Sequence, residues 1–283
     1  MAWKKDRLLR VGMFLLATLL LMPILLTFLY SFFSPEEMQA HMLLRGSLNQ
    51  SSFMPILLIP RMFSVSQHYE VLLGSNGILE RSLLSGFYTL SILLGQAVFV
   101  PSLAYALSAF RFRGQSAIFF LMILLMLLPF QVTMVPNLLM LRAMKLLDTV
   151  WAVILPQWFT PFYVFLIRQY MVGVPRELYE AAQLDGAGAV RTYFQIVLPV
   201  CRPVIGAAIA LSFADAWNMV EQPMTFLSHR DQWQPLSVMF NQLVVMPAGY
   251  EFAGAVLYML PAVLVYLFFQ EDIVSGVQLT ELK

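Results

Sequence analysis

Three polar side chains recur inside one long apolar run in the second half of the chain. Asp215, Asn218 and Glu221 follow one another at intervals of three residues within 203–227, and Trp217 lies among them. A charged group at the centre of a bilayer costs about 2.5–3.5 kcal/mol on insertion scales, so such residues face a bundle interior or water. Two interpretations stay open. These residues line a path for a hydroxyl-rich solute, or they form polar contacts between helices.

The sequence contains no comparable group of catalytic or metal-binding residues. His41, His68 and His229 are far apart, and Cys201 is the single cysteine, which excludes a disulfide framework and leaves no zinc-binding companion. No G-x-x-x-x-G-K-[ST] sequence occurs, so the chain lacks the loop that cradles nucleotide phosphates. We therefore expect no catalytic residue, no metal site and no cofactor bound by this chain itself.

The composition places most of the chain in lipid. Hydrophobic residues make up 60% and charged residues 12% of its 283 residues, and the mean hydropathy is +0.75. A soluble domain carries about 25% charged residues. Because a protein core cannot use so much apolar surface, lipid must solvate most of it. The net charge of +1 gives no reason to expect nucleic acid as a partner.

Six runs are apolar enough to cross a bilayer, which takes about 20 residues. They are 11–33, 82–110, 114–141, 149–167, 203–227 and 252–270. The first exceeds the roughly 7–15 apolar residues of a signal peptide, and no small-x-small cleavage site follows it, so we interpret it as a retained anchor. The predicted fold is an all-α integral membrane protein with six transmembrane helices. We assign Gln96, Gln131 and Asn137, inside these runs, to interhelical hydrogen bonds.

Basic residues in the connecting segments predict the orientation, because cytoplasmic loops carry the excess of Lys and Arg. With a cytoplasmic N-terminus, the basic residues on the inner side are Lys4, Lys5, Arg7, Arg10, Arg111, Arg113, Arg168, Arg176, Arg191, Arg202 and Lys283. Those on the outer side are Arg45, Arg61, Arg81, Arg142, Lys145 and Arg230. Both termini are therefore predicted to be cytoplasmic.

This orientation divides the chain into segments. Residues 1–33 hold the cytoplasmic N-terminus and the first span, and 34–81 form an external loop lying at the membrane surface. A five-helix core follows at 82–274, with a cytoplasmic loop at 173–202, and 275–283 form a cytoplasmic tail.

The cytoplasmic loop contains the longest polar stretch of the second half, "PRELYEAAQLDGAGAVRTYFQIVLPVCRP" at 175–203, which we call the elbow. Pro175 suits the first turn of a helix, and Glu177 there complements the helix dipole. Gly186 and Gly188 predict the end of this helix. A second short helix is predicted to follow and to end at Pro199.

The side chains of the elbow suit contact with a partner. Ala181 and Ala182 make the first helix thin enough to enter a groove, Leu178 shares a face with Ala182, and Glu180 offers an anion to an arginine. Tyr193, Phe194 and Ile196 are predicted to pack the second helix against the bundle. From the residues alone, a docking element and an amphipathic connector lying on the membrane are both open.

The spacing within the elbow resembles the EAA signature of membrane subunits of binding-protein-dependent ABC importers. That signature is Glu-Ala-Ala, three residues, Gly, nine residues and Ile-x-Leu-Pro. The matching residues are Glu180, Ala181, Ala182, Gly186, Ile196, Leu198 and Pro199. The resemblance implies that these residues couple the chain to a separate ATPase subunit, which binds the ATP.

Other stretches are similar to the carbohydrate-importer branch of that family, and within it to the maltose-type second permease. They are "RFRG" at 111–114, "LPFQVTMVPNLLML" at 128–141, "VFLIRQYMVGVPRELYEAAQLDGA" at 164–187, "AWN" at 216–218 and "LPAVLVYLFFQ" at 260–270. The chain departs from the branch at "MVEQPMTFL" and at Glu271 and Asp272, where aromatic, leucine or basic residues are usual. These departures bear on the cargo.

The resemblance implies a MetI-like type I permease fold in the inner membrane of a bacterium. It also implies three partners: a second permease subunit, an ABC ATPase dimer and an extracytoplasmic solute-binding protein. The implied cargo is a sugar or oligosaccharide. A polyol or glycerol phosphate is an alternative cargo, although no arginine lies within the six runs to bind a phosphate. An ion-coupled secondary carrier is the alternative from another class.

Overall fold

A computed structural model of the chain describes residues 2–47, 58–74, 77–241 and 249–278, and these form helices joined by short connections. The helices are α1 (Ala2–Tyr30), α2 (Pro35–Ser47), α3 (Ser66–Leu73), α4 (Ile78–Ala109), α5 (Gln115–Leu127), α6 (Phe130–Ala143), α7 (Val150–Gln157), α8 (Pro161–Val172), α9 (Arg176–Leu184), α10 (Ala189–Thr192), α11 (Leu198–Val200), α12 (Arg202–Trp217), α13 (Glu221–Phe226), α14 (Leu236–Asn241) and α15 (Tyr250–Gln278). A π-helical turn (Tyr193–Val197) and a 3₁₀ turn (Asp231–Trp233) complete the series.

Among the described residues, four helical stretches are long and apolar enough to cross a membrane. They are Leu9–Tyr30, Ile78–Ala109, Val150–Val172 and Tyr250–Val274. Two bent pairs raise the number to six if each pair is one span: α5 with α6, bent by 109°, and Ala189–Val200 with α12, bent by 75°. The all-α membrane fold predicted from composition is confirmed.

The fifth span differs from its predicted bounds of 203–227. It begins in the elbow at Ala189, and α12 ends at Trp217. Asn218 closes α12, because its Nδ2 donates to the Ala214 carbonyl at 2.9 Å. A separate short helix, α13, then begins at Glu221.

The first compact unit comprises Met1–Glu80 and Val244–Pro261, and it contains most of the segment predicted as an external loop. That segment carries α2, α3 and the start of α4, so it is more helical than predicted. The Gln67 amide donates to the carbonyls of Ser31, at 2.9 Å, and of Phe33. The Arg61 N–H donates to the Glu37 carboxylate at 3.1 Å. The Gln67 bonds tie the segment to the residues that follow α1, and the Arg61 bond joins two parts of the segment to each other.

The second compact unit comprises Arg81–Leu243 and Ala262–Lys283. Near its centre, a hydrogen bond between helices takes the place of one that a proline removes. Pro161 has no N–H, so the carbonyl of Gln157, four residues earlier, loses its helical donor. The side chain of Gln96 on α4 replaces that donor, with Nε2 2.7 Å from the Gln157 oxygen. Ser212 on α12 donates to Oε1 of the same amide. Gln96 thus joins three helices, as its predicted interhelical role requires.

The joint between α7 and α8 also packs closely against α4. Trp158 lies over Gly95, where any added Cβ would overlap the indole ring. Its Nε1 donates to the Ser91 carbonyl at 3.0 Å. Gly95 therefore provides the space that lets α4 and the joint approach closely.

The predicted C-terminal tail at 275–283 is helical as far as Gln278. Lys283, one of the residues used to predict the orientation, lies outside the described residues, as do 53–57 of the external segment.

Candidate functional site

The first elbow helix, α9, ends in a glycine corner. Pro175 precedes the helix in an extended conformation, and Glu177 occupies its first turn. Gly186 adopts the left-handed region at φ +72°. The N–H of Ala187 donates to the Ala182 carbonyl at 2.8 Å, and that of Gly186 to Gln183 at 3.0 Å, which is the Schellman pattern of helix termination. Gly188 is extended at φ −71°, so only Gly186 requires a glycine backbone.

The faces of α9 divide between its own bundle and solvent. Ala182 is buried, with 3% of its surface exposed, so it packs against this chain instead of entering a partner groove as predicted. Tyr179 also packs on the bundle, and burial raises its pKa to about 12. Glu180, Ala181 and Gly186 are exposed. These three are therefore the signature residues of α9 that a partner can reach.

The second half of the elbow is anchored on α4. Tyr193 is buried, its ring lies 5.0 Å from that of Tyr105, and its hydroxyl shares a hydrogen bond with Ser102 Oγ at 3.2 Å. The Tyr105 hydroxyl donates to the Ala189 carbonyl at 3.2 Å. Phe194, predicted to pack inward, is 62% exposed, because the π-helical turn presents Tyr193 to the bundle instead.

The bend after the elbow lies two residues beyond its predicted place. Pro199 lies inside α11, where a proline near a helix start is tolerated, and the chain turns at Cys201, which is fully buried. Ile196 and Leu198 are half-buried and Pro199 is exposed.

The four candidate pathway residues have separate surroundings. Asp215 accepts a hydrogen bond from the Tyr163 hydroxyl at 2.5 Å, and Glu221 accepts one from the Gln131 amide at 2.8 Å. Asp215, Asn218 and Glu221 are exposed. Trp217 is only 5% exposed, and its ring stacks on that of Phe213 at a centroid distance of 5.7 Å.

The bend between α5 and α6 opens a cleft that sequence analysis missed. Its volume is about 550 Å³, and α5, α6, the α7–α8 joint and α13 line it. Asn137 and Gln222 contribute half-buried amides to this lining. Asn137 makes none of the interhelical hydrogen bonds predicted for it with any described residue. The sequence signals for the cleft are Pro129 at the bend and Pro161 at the joint.

The described residues contain no group of three or more His, Cys, Asp or Glu side chains that could hold a metal ion.

Comparisons with known proteins find similarity over most of the chain. The family described as "Binding-protein-dependent transport system inner membrane component" matches residues 97–276. The arabinooligosaccharides transport system permease protein AraQ of Bacillus subtilis (strain 168) is 31% identical over 206 residues, which is 71% of this chain and 72% of that protein. The polygalacturonan/rhamnogalacturonan transport system permease protein YtcP of the same organism is 30% identical over 247 residues, 80% of this chain and 84% of that protein.

Two further similarities concern cargo and fold. The sn-glycerol-3-phosphate transport system permease protein UgpE of Yersinia pestis bv. Antiqua (strain Antiqua) is 30% identical over 177 residues, 61% of this chain and 63% of that protein. A chain from the crystal structure of a bacterial ABC transporter involved in the import of the acidic polysaccharide alginate superposes with a TM-score of 0.75. The match covers 95% of both chains at 23% identity, so it is a likeness of fold.

Proposed function

Because the chain belongs to the family of binding-protein-dependent transport system inner membrane components and is thus a multi-pass membrane permease subunit, we propose that its importer carries a sugar or oligosaccharide. ATP hydrolysis by a separate subunit drives the transport. The relatives AraQ and YtcP belong, by their names, to transport systems for arabinooligosaccharides and for polygalacturonan or rhamnogalacturonan, which supports a saccharide cargo here.

The observation that carries the proposal is the construction of the elbow. A short helix with exposed Glu180 and Ala181 ends at a left-handed Gly186, while Ala182 is buried and Tyr179 packs on the bundle. An amphipathic connector lying on lipid would expose a continuous apolar face to the headgroups. Here the exposed side of α9 mixes the signature anion and the glycine corner with two exposed leucines, Leu178 and Leu184. This mixed polar and apolar surface suits a protein groove.

The elbow is also placed to transmit motion. Its Ala189 carbonyl is held by Tyr105 of α4, and Val197 and Cys201 are completely buried ahead of α12. A displacement of α9 by the ATPase would therefore move α4 and α12 together. ATP binding, by favouring one of two arrangements of the permease pair, would shift the population between inward-open and outward-open states.

The proposed assembly contains this chain, a second permease subunit, an ABC ATPase dimer and an extracytoplasmic solute-binding protein. The solute-binding protein would dock on the external segments 34–81 and 228–251. Both termini would lie in the cytoplasm of the bacterium, because that orientation places the larger share of Lys and Arg inside. ATP would bind only to the ATPase subunits, and Asp215, Trp217, Asn218 and Glu221 stay candidates for the substrate pathway.

Glycerol phosphate is the second candidate cargo, because UgpE by its name transports it. Phosphate recognition favours arginine or lysine, and no arginine lies within the six apolar runs of this chain. A saccharide is therefore the better supported cargo.

Co-purification tests the proposal. The tagged chain is expressed with its sister permease and ATPase, and Glu180→Arg is compared with Glu271→Arg, an equal charge reversal at an exposed residue of α15. We expect Glu180→Arg to lose the ATPase and saccharide uptake, and Glu271→Arg to keep both. A Glu180→Arg complex that retains ATPase and uptake, or an isolated chain that transports under an ion gradient, would contradict the proposal.

A further inference from the structure

The cleft between α5, α6 and the α7–α8 joint has the size of a ligand site. Its volume of about 550 Å³ lies within the roughly 300–1,000 Å³ of small-molecule pockets. None of the four residues predicted to line a path contributes to it, although Gln222 follows Glu221 directly. The cleft is thus a separate feature of the second unit.

Three side-chain amides line the cleft, and none of them makes a hydrogen bond to another described residue. They belong to Asn137 on α6, Gln157 on α7 and Gln222 on α13, and all three residues are half-buried. Two nearby amides outside the lining are engaged, since Gln96 donates to the backbone carbonyl of Gln157 and Gln131 donates to Glu221. Leaving a shielded amide without a partner costs free energy. Asn137 and Gln222 therefore have donors and acceptors available for a ligand.

Hydroxyl groups and aromatic rings supply the rest of the lining. Thr133 donates its hydroxyl proton to the Phe130 carbonyl at 3.0 Å, so its lone pairs can accept a further bond. Phe130, Phe159 and Phe162 present aromatic surface to the same cleft. Apolar surface with a few polar groups is typical of small-molecule sites, and this combination suits the alternating C–H and O–H groups of a sugar ring.

The lining contains no charged residue. A phosphate or carboxylate taken out of water needs a paired cation or strong donors, and the cleft offers none. The cleft therefore selects for an uncharged ligand.

We propose that this cleft is a binding subsite for one ring of a neutral saccharide, with the amides of Asn137 and Gln222 bonding its hydroxyl groups. This inference rests on the proposed function and narrows its cargo to uncharged sugars, in contrast to the acidic polysaccharide of the structurally similar alginate importer.

Uptake by the complete importer tests this subsite. The importer is reconstituted in proteoliposomes with saturating solute-binding protein, and the probes are labelled arabinotriose, maltotriose and trigalacturonate. Asn137→Leu, Gln222→Leu and the double variant are compared with Gln270→Leu, which removes an exposed amide of α15. Conservative Asn137→Gln and Gln222→Asn retain an amide at each site.

We expect each leucine variant to slow uptake of a neutral trisaccharide by about 2- to 12-fold, the effect of one hydrogen bond. ATPase activity stimulated by the liganded binding protein should stay within about twofold of wild type, and the conservative variants should recover part of the uptake.

Three outcomes would overturn the subsite. The first is that the double variant transports as well as wild type, which is expected if the sister permease fills the cleft. The second is that uptake and stimulated ATPase activity fall together, which indicates damage to the fold or the assembly. The third is that the wild-type importer prefers trigalacturonate to the neutral trisaccharides. Failure of the proposed function is distinct, because the wild-type importer would then transport none of the three probes.

Discussion

The left-handed corner of the elbow permits a test in which backbone strain is the sole variable. Gly186 has φ +72°, and a Cβ added there would meet no atom within 4 Å. A left-handed conformation costs a residue with a Cβ about 1–2 kcal/mol. Gly186→Ala should therefore destabilise the corner by about this amount without any steric clash.

The expected effect on coupling follows from that cost. If the ATPase binds the corner as it stands in the structure, about 1–2 kcal/mol weakens its affinity by a factor of about 5–30. Gly188→Ala is the matched control, because Gly188 is extended at φ −71° and its Cβ would also meet nothing. Gly186→Asn should lie between the two, since asparagine tolerates the left-handed region better than alanine.

Affinity is measured by titrating purified ATPase subunit against the permease pair held in nanodiscs. We expect wild type and Gly188→Ala to share the lowest dissociation constant, Gly186→Asn to have a higher one and Gly186→Ala the highest. Equal affinity for Gly186→Ala and wild type, or an equal loss for Gly188→Ala, would refute the strain explanation. Either result would mean that the ATPase does not require the left-handed corner.

Three further predictions concern the bundle and the external segment. Gly95→Ala drives a methyl group into the Trp158 ring and should destabilise the second unit by about 1–3 kcal/mol. Gly86→Ala is the control, because a Cβ there meets open space, and it should be neutral or stabilising. Thermal unfolding in detergent compares the two variants. Tyr105→Phe keeps the ring but removes the donor to the elbow, and it should lower the amount of saccharide imported per ATP hydrolysed, with ATPase binding retained; a wild-type ratio would contradict this coupling route. Burial lowers the pKa of His68 below its usual 6.5, so the neutral imidazole stabilises the folded segment above pH 6.5, and this stability is lost as the pH falls below 6.5. Limited proteolysis of the external segment should therefore accelerate in acid. A His68→Phe variant with the same acid response would exclude this residue as the cause.

Composition and local spacing were sufficient to predict the class of protein and to locate its coupling element. The scarcity of charge and the six apolar runs predict a helical membrane protein, because lipid tolerates only internally bonded backbone. The elbow residues from Glu180 to Pro199 identify the family by spacing alone. The end of α9 at a left-handed glycine is equally local, since its hydrogen bonds close within six residues.

The partners of polar residues depended on contacts that no local pattern encodes. Gln96, Gln131 and Asn137 look alike in sequence, yet the first two bond across helices and Asn137 faces a cleft. Which amide is engaged depends on which helix end arrives beside it. Asp215 was expected to line a path or to form a polar contact between helices, and its partner in the structure is a tyrosine 52 positions away on another helix.

The sequence by itself determined that the chain lies in a membrane, where its apolar runs fall and which segment carries the coupling signature, because each is a property of consecutive residues. Only the tertiary structure decided that Ala182 faces inward, that the chain turns at Cys201 instead of Pro199, and that a 109° bend opens an uncharged cleft. Those outcomes depend on packing between residues far apart in the chain. Many weak contacts, summed over several helices, outweigh the local preference of any one residue.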